Sequence, residues 1–385
     1  MQTRPPLSLL IYPPTQAKLQ VQIETQNQEE TKIMKTTDPY YIGIDLHSNN
    51  LVAAVVDAAG DRIKQQRIPC DLYAVDKFLH PFHERVETIA VESTFNWYWL
   101  VDGLQAMNYN VVLANPAKNI QYSGKKNADD KHDAFWLAEL LRLGILEAGY
   151  ICPIDWRATR DLLRRRRLLV RHRTSLILSA RSLQMRNFGL CEVSGETLKR
   201  IPTQTYIDLF EDCSDKMTAD TQKTLIDALS AQISRIERQV LPHARQLPGY
   251  ERLLSIPGFG KILAMTIAME IVSIDRFSSA EDFASYARMV PAIKKSNNRK
   301  KGDNNRRCGN RYLGWAFIEA ANIHCRFSDV AKRWHDRKKA KTCKAVAVKA
   351  LGCKLAKAVW HVLHEQVPYD ESRVFGPQKT NSKAV

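Results

Sequence analysis

The stretch YYIGIDLHS, residues 40–48, is an apolar, β-rich run that ends in polar residues, which is typical of a buried strand. The following stretch, LVAAVVDAAGDRIKQQRI at 51–68, predicts two more strands around a tight turn at 59–61. The chain then alternates between predicted helices and strands: a helix over 72–85, strands at ETIAVES (87–93) and NVVLANP (110–116), and helices over 97–107 and 130–143. This order predicts a layered α/β domain.

Four acidic residues occupy special places in this predicted domain. Asp45 interrupts the apolar first strand, and Glu92 ends the fourth strand, which lies beside the first strand in ribonuclease H-like folds. Asp130 and Asp133 lie three positions apart at the start of a helix, hence on one face. We therefore expect these four carboxylates to converge on one pocket.

Carboxylates gathered without cations repel one another, and this repulsion raises their pKa values. Two divalent cations would cancel the repulsion. Oxygen ligands favour Mg²⁺ or Mn²⁺ over zinc, and a pair of ions about 3.5–4 Å apart clamps the attacking and leaving oxygens of a phosphodiester. Helix capping explains Asp130 taken alone, whereas the four acids together favour a metal site. Asp129 would replace Asp130 if the helix were shifted by one residue, and His47 and His132 are interpreted as neighbours of the site.

Charge and composition favour a nucleic-acid partner. The 385 residues include 57 Lys and Arg against 41 Asp and Glu, a net charge of +16 with a pI of about 9.5. No apolar run approaches the roughly 18–20 residues of a membrane span, and no signal peptide is recognisable.

Eight cysteines without a Cys-x-x-Cys pair fit reduced thiols in a cytoplasm. Residues 1–38 are interpreted as a disordered leader, and 39–152 as the α/β domain.

The segment 153–247 predicts a coiled-coil hairpin. Apolar positions among many arginines indicate a long helix over 156–190, and five apolar residues from Ile226 to Val240 step by three and four, which indicates its partner. The arginine face of the first helix is predicted to bind the backbone of RNA or DNA. The arginines concerned are Arg164, Arg165, Arg166, Arg167, Arg171 and Arg173.

The segment 248–340 predicts a mostly helical domain. LLSIPGFGKILAMTIAMEI at 253–271 resembles a helix-hairpin-helix, whose glycines, here Gly258 and Gly260, let backbone N–H groups approach a phosphate. A plain helical hairpin explains the stretch equally well. A basic loop, KKSNNRKKGDNNRRCGNR at 294–311, and an apolar helix over 312–323 follow. Residues 341–385 are predicted to be a basic tail.

The ordered set GIDLH, AVES, KKNADDKHDAFWLAELL, the arginine-rich helix and IPGFG resembles the Piv/MooV-type transposases of the insertion sequence 110 family. The resemblance runs from about residue 40 to about residue 323. It implies a RuvC-like domain whose Asp-Glu-Asp-Asp tetrad is Asp45, Glu92, Asp130 and Asp133, a coiled-coil insert, and a carboxy-terminal domain with a catalytic serine. It also implies a bridge RNA that guides the enzyme to donor and target DNA.

The family's serine corresponds to Ser296, because VPAIKKSNNRKKGDNNRRCGNRYL at 290–313 resembles the family's basic stretch and its Gly-x-Arg-Tyr-Leu ending. Asn297 stands where the family usually has glycine. Basic residues around the serine would stabilise charge on phosphoryl oxygens, or grip phosphates non-specifically. They are Lys294, Lys295, Arg299, Lys300, Arg306, Arg307 and Arg311.

The leading interpretation is a Mg²⁺-dependent recombinase that forms a serine–DNA intermediate. Because serine and tetrad are far apart in the chain, a composite site in a dimer or tetramer is expected. One alternative is a structure-specific nuclease or Holliday junction resolvase that uses metal-activated water. A second alternative is a non-catalytic nucleic-acid-binding protein.

Overall fold

The structure, a computed structural model, describes residues 38–115, 130–291, 293–296, 299–303 and 308–376. For residues 130–131, 293–296 and 299–303 it describes the backbone alone. The predicted leader lies almost entirely outside the described residues. The chain divides into two units, residues 1–151 and 152–385.

A mixed six-stranded sheet forms the centre of the first unit. Its order is β3-β2-β1-β4-β5-β6. The first three strands pair antiparallel, β4 and β5 continue parallel to β1, and β6 is antiparallel to β5. The fourth strand thus lies beside the first, as predicted. The strands are β1 (Tyr40–Leu46), β2 (Asn50–Asp57), β3 (Arg62–Pro69), β4 (Val86–Glu92), β5 (Val111–Ala114) and β6 (Ala148–Gly149).

Helices cover both faces of this sheet. Helices α1 (Leu72–Leu79) and α2 (Tyr98–Ala106) pack on the face to which β1 turns its even-numbered residues. Helix α3 (Asp130–Arg142) packs on the other face. The helix predicted over 72–85 ends earlier, and a 3₁₀ helix (His80–Arg85) follows with Pro81 in its first turn. Proline has no backbone N–H to continue an α-helix, which accounts for the difference.

Two long antiparallel helices begin the second unit. Helix α4 (Ile154–Phe188) ends at Gly189, which has φ +75°, and helix α7 (Cys213–Gln246) returns along it. Two short helices, α5 (Gly195–Leu198) and α6 (Thr203–Ile207), pack between their ends. The two predicted long helices are therefore present, while their coiled-coil geometry remains a prediction.

The remaining helices enclose one large apolar core with parts of α4 and α7. The basic loop predicted over 294–311 contains an antiparallel pair of strands in its described part, and α11 follows it. The elements are α8 (Tyr250–Leu254), α9 (Lys261–Ile271), α10 (Ala280–Tyr286), β7 (Ile293–Ser296), β8 (Arg299–Asp303), α11 (Arg311–His324), α12 (Asp329–Lys341), α13 (Lys344–His364) and α14 (Glu371–Phe375).

The prediction of a basic tail over 341–385 needs correction for its described part. Leu351, Leu355 and Val359 of α13 are completely buried in the core. Apolar residues outnumber the lysines in this helix, so its apolar stripe and not its charge decides where it packs. None of the helices in the described ranges combines the length and apolar character that crossing a bilayer requires.

Candidate active site

The acids of the first and fourth strands lie side by side on the α3 face of the sheet. β1 and β4 are parallel, and their register pairs Ile44 with Val91, so Asp45 and Glu92 follow at the same level. Alternation along a strand puts both acids on the face opposite those two apolar residues. Asp45 is only 4% exposed. Its carboxylate shares a hydrogen bond with the carboxyl group of Glu92.

Asp133, in the first turn of α3, adds a third acid to this cluster. Burial raises the pKa of Glu92 to about 8, and the hydrogen bond to Asp45 and the charges of Asp45 and Asp133 add to the effect. A carboxyl group that keeps its proton near neutral pH marks a buried pocket, and here the neighbouring charges that act on it are acidic. Asp45 and Asp133 therefore lie close enough to Glu92 to act on its protonation.

Gly43 brings α3 close enough to β1 for this convergence. A Cβ atom at Gly43 would lie 2.0 Å from the backbone oxygen of Ala134 and 2.6 Å from the backbone nitrogen of Ala138. Any side chain there would push the helix off the strand. The absence of one lets the first turns of α3, which carry Asp133 next to Ala134, lie against β1.

The loop after Asp45 is fixed by side-chain contacts. His47 Nε2 lies 3.4 Å from Asp45 Oδ2. The backbone oxygen of His47 accepts a hydrogen bond from Asn96 Nδ2 at 2.8 Å, and Thr94 Oγ1 donates to Asn96 Oδ1 at 2.9 Å. Because Thr94 and Asn96 follow Glu92 closely, these bonds tie the ends of β1 and β4 together.

The carboxylate oxygens of the three acids are donors that a hard divalent cation prefers, and such a cation would relieve their mutual repulsion. No three His, Cys, Asp or Glu side chains among the described residues are arranged so as to hold a metal ion. The predicted fourth acid, Asp130, is the first residue of α3, and its side chain lies outside the described atoms, as does all of Asp129. His132, interpreted as a neighbour of the site, lies in the same helix.

The second candidate site is the β7–β8 hairpin. Ser296 is the last residue of β7 and pairs with Arg299 of β8, while Lys295 pairs with Lys300 and Lys294 with Gly302. The hairpin thus places basic residues on both strands beside the serine. Arg306, Arg307 and Asn297 lie outside the described residues.

The base of this hairpin is closed by contacts between its two ends. The backbone N–H of Asn310 donates to the oxygen of Tyr286 at 2.6 Å, and Arg288 Nε donates to the oxygen of Gly309 at 2.8 Å. Gly309 has φ +85°, and a Cβ atom there would lie 2.5 Å from the oxygen of Tyr286. Glycine is therefore required at this position for two reasons, its backbone conformation and its close contact.

The arginines of α4 fall into two groups. Arg164 forms a two-pronged ion pair with Glu270, Arg166 binds Glu237 with Nε–Oε1 at 2.7 Å, and Arg173 donates to Ser230. Arg167 lies over the ring of Trp315, 4.9 Å from its centre. Arg165 and Arg171 are exposed. Four of the six arginines predicted to form one basic face therefore contact side chains of the second unit, and the other two, Arg165 and Arg171, are exposed to solvent. Arg311, at the start of α11, is also exposed.

The two glycines of IPGFG differ in their surroundings. Gly258 has φ +85°, and a Cβ atom there would lie 3.1 Å from the backbone of His324. His324 is completely buried, and its Nδ1 lies 2.6 Å from the oxygen of Pro257. Gly260 has no atom within 4 Å of its Cβ position. Gly258 is thus needed for packing, and Gly260 has open space beside it.

Two family matches cover more than half of the chain. Residues 250–336 match the family described as Transposase IS116/IS110/IS902, and residues 42–185 match the DEDD domain of IS110 elements, described as Transposase. The chain belongs to the IS110 family of transposases. It is thus an enzyme that acts on DNA.

Two relatives of this chain are also named transposases. The "Probable family 20 transposase" of Pseudomonas aeruginosa is 25% identical over 289 residues, which span 73% of this chain and 85% of that protein. The "Putative transposase y4qE" of Sinorhizobium fredii is 24% identical over 230 residues, 59% of this chain and 55% of that protein. One matched segment of the transposase contains the carboxylate cluster, and the other contains the β7–β8 hairpin.

Three residues that shape the sites of the transposase are not evident from the sequence alone. Gly43 lies within a strand and not in a turn, where a glycine would be expected. Glu270 stands near the end of a mostly apolar helix, a signal that a buried partner is needed. Asn310 precedes an apolar helix, the usual position of a helix cap, but its partner Glu270 is forty positions away.

Proposed function

We propose that this transposase cuts and rejoins DNA through Ser296 and a ribonuclease H-like, RuvC-like domain whose acids are Asp45, Glu92, Asp130 and Asp133. The observation that carries the proposal is that Asp45 of β1 and Asp133 of α3 both act on the buried carboxyl group of Glu92 of β4, whose pKa is raised to about 8. The sheet order, with β4 parallel to β1, supports the RuvC-like assignment.

The acids would hold Mg²⁺, as two ions, with Mn²⁺ able to replace it. When bound, such ions stabilise negative charge on the phosphoryl oxygens of DNA. Glu92 must lose its proton to act as a ligand, and Asp45 and Asp133 would keep their places through β1 and α3. His47 would hold the direction of the Asp45 carboxylate.

In the proposed step, Ser296 Oγ attacks a DNA phosphorus atom. A bond forms between Oγ and phosphorus, and the bond between phosphorus and the leaving deoxyribose oxygen breaks. The proton lost by Oγ balances the proton gained by the leaving oxygen. Attack by a hydroxyl group of another strand then reverses the step and frees the serine. The phosphodiester bond energy is retained, so no external energy source is needed.

Basic residues would bind the DNA backbone around this step. The proposed contacts are the exposed arginines of α4, the basic residues of the β7–β8 hairpin and its flanks, and the N–H groups beside Gly260. The basic residues are Arg165 and Arg171 on α4, and Lys294, Lys295, Arg299, Lys300, Arg306, Arg307 and Arg311 in and beside the hairpin. A guide RNA and a composite site formed by two or more copies are part of the proposal; the guide RNA is implied by the resemblance to the family, and the composite site follows from the separation of Ser296 and the acids along the chain. The location would be the cytoplasm.

Trapping of a covalent adduct tests the proposal. The full chain is expressed from a plasmid that carries its natural flanking DNA, protein-bound DNA is precipitated under denaturing conditions, and the flanking sequence is quantified. We expect an adduct in the wild type, none in Ser296→Ala or Asp45→Asn, and an undiminished amount in Ser285→Ala, which removes an exposed serine of α10.

The nuclease alternative gives the opposite result. If attack comes from water, Ser296→Ala still cleaves the flanking DNA while Asp45→Asn does not, and no adduct forms in any variant. Sequencing of RNA that copurifies with the wild type tests the guide: a discrete RNA transcribed from the flanking DNA supports it, and random fragments contradict it.

A further inference from the structure

We infer that Arg164, Glu270 and Asn310 form a clasp that positions the hairpin bearing Ser296. This inference rests on the proposed function, in which Ser296 is the nucleophile. The three residues come from α4, α9 and the start of α11, and we call them the Glu270 clasp. They are positioning residues, because they act on the serine through the backbone of the hairpin.

Glu270 is the centre of the clasp. It is 3% exposed although it carries a carboxylate. Arg164 Nε donates to Oε1 and Arg164 Nη2 donates to Oε2, both at 2.7 Å. Asn310 Nδ2 donates to Oε2, also at 2.7 Å. A planar guanidinium and a planar carboxylate in this arrangement fix each other's orientation, and the third donor fixes Asn310 relative to both.

Asn310 transmits this orientation to the chain on either side of it. Its Oδ1 accepts from the backbone N–H groups of Tyr312 at 2.8 Å and Leu313 at 3.1 Å, which caps α11. Its own N–H donates to Tyr286, before the hairpin, at 2.6 Å. A single residue therefore joins the end of the hairpin segment, the start of α11 and the buried carboxylate.

The two ends of the hairpin segment meet at this point. Arg288 leads into the hairpin and Gly309 leads out of it, and the two residues are joined by the 2.8 Å bond from Arg288 Nε. Arg288 itself has φ +59°, an unfavourable conformation for a residue with a side chain. Such a conformation persists where the surroundings impose it, and residues of this kind cluster at functional sites. The clasp thus holds in one arrangement the two chain ends between which the hairpin lies.

An apolar trio of similar volume would pack in the same space without the desolvation of a buried charge. It would not specify the direction of the Asn310 side chain, however. The hydrogen bonds of the clasp supply that direction, which is why we assign it a positioning role and not only a contribution to stability.

A charge exchange within the clasp tests the inference. Asn310→Asp keeps the helix cap but replaces the Nδ2 donor by a carboxylate oxygen facing Glu270. Adding Glu270→Gln restores a donor between the two residues and the net charge of the clasp. We expect hydrogen exchange of the 293–303 amides to accelerate at least about tenfold in Asn310→Asp and to return towards the wild-type rate in the double variant.

Adduct formation provides the functional readout. We expect Asn310→Asp to slow it by roughly 10- to 100-fold, since a misplacement of about 1 Å can cost about 100-fold in rate. The double variant should recover most of this loss. Rates are measured at a temperature at which circular dichroism finds every variant folded. Glu237→Gln is the control: it removes an Arg–Glu pair that joins α4 to α7 through Arg166, and it should change neither readout.

The outcomes separate the two proposals. Unchanged hydrogen exchange in Asn310→Asp, or an equal change in Glu237→Gln, overturns the clasp. Slower adduct formation that merely follows a loss of folded protein, without rescue by Glu270→Gln, overturns it as well. A third outcome is also informative: Asn310→Asp accelerates the exchange and Glu270→Gln reverses this change, but the wild type forms no adduct. In that case the clasp still holds the hairpin, and the serine intermediate is refuted.

Discussion

At the scale of single residues, Glu92 shows how the position of a carboxyl group changes its chemistry. It ends a strand, as many acids do, yet burial and two neighbouring acids raise its pKa from 4.5 to about 8. The carboxyl therefore carries a proton over a range in which an ordinary glutamate is charged. A divalent cation and this proton compete for the same oxygens, so the occupancy of the site depends on pH.

The first prediction concerns the stability of the metal-free protein. Folded Glu92 binds a proton up to about pH 8, whereas the unfolded side chain loses it near 4.5. The stabilisation from this group is therefore complete below pH 4.5 and is lost as the pH rises through 8. In a chelator, the free energy of unfolding in urea should fall with pH across this window, and Glu92→Gln should flatten the decline.

The control for this prediction is Glu87→Gln, an exposed glutamate of the same strand. It should leave the pH dependence unchanged. Added Mg²⁺ should raise the melting temperature of the wild type more at about pH 8.5 than at about pH 6, because the ligand form of Glu92 is deprotonated. A larger effect of Mg²⁺ at the lower pH would contradict the assignment of Glu92 as a ligand.

At the scale of elements, the contact between β1 and α3 depends on a strand glycine. Gly43 lets the backbone of α3, the helix that carries Asp133, lie against β1, the strand that carries Asp45. Gly258 does the same for the turn before α9 and the end of α11. In both places the glycine serves packing between elements.

The second prediction follows from the contact of Gly43 with α3. In Gly43→Ala the new Cβ would overlap the backbone of α3, which cannot move aside as a flexible side chain does. Overpacking of this kind costs about 1–3 kcal/mol and occasionally more, and we expect the upper end in urea unfolding. Adduct formation should be lost even where the protein is folded. Gly144→Ala, at φ +68° with no neighbour within 4 Å, should cost only about 1 kcal/mol of conformational strain.

The third prediction separates the two glycines of IPGFG. Gly258→Ala should lower the free energy of unfolding by about 1–3 kcal/mol, because φ +85° and the His324 backbone both oppose a side chain. Gly260→Ala should change it by less than about 0.5 kcal/mol. If the N–H groups here approach phosphate, Gly260→Ala should weaken DNA binding in an anisotropy titration. Unchanged binding would leave the turn with a structural role alone.

At the scale of the whole molecule, a net charge of +16 gives less information than the distribution of that charge. Half of the predicted arginine face of α4 is engaged with Glu270, Glu237 and Ser230 inside the helical unit. Electrostatic binding of a nucleic-acid backbone therefore depends on the exposed cations.

The fourth prediction concerns the salt dependence of DNA binding. Replacing Arg165 and Arg171 together by alanine should make the slope of log affinity against log salt shallower, by about 0.9 for each phosphate that the variant no longer neutralises. Fluorescence anisotropy with a short duplex between about 50 and about 200 mM salt measures it. Arg200→Ala, an exposed arginine outside the predicted face, is the control and should leave the slope unchanged. An unaltered slope in the double variant would exclude α4 from the interface.

The sequence determined the elements and the acids of this protein. The apolar, β-rich runs YYIGIDLHS and LVAAVV predict the first two strands, because strands that are covered on both faces are apolar along most of their length. The acids stand out because Asp45 breaks an apolar run and Glu92 ends the fourth strand. The helical seam from Ile226 to Val240 is equally local, and the structure has one continuous helix there.

Tertiary structure alone decided which polar groups are engaged inside the protein and which face solvent. An arginine in a basic run looks the same in sequence whether it faces water or a carboxylate 106 positions away, as Arg164 faces Glu270. The core role of α13 and the close contact at Gly43 have the same origin. The physical reason is that burial and ion pairing depend on distances between segments that are remote in the chain, whereas propensity and periodicity describe only neighbours along it.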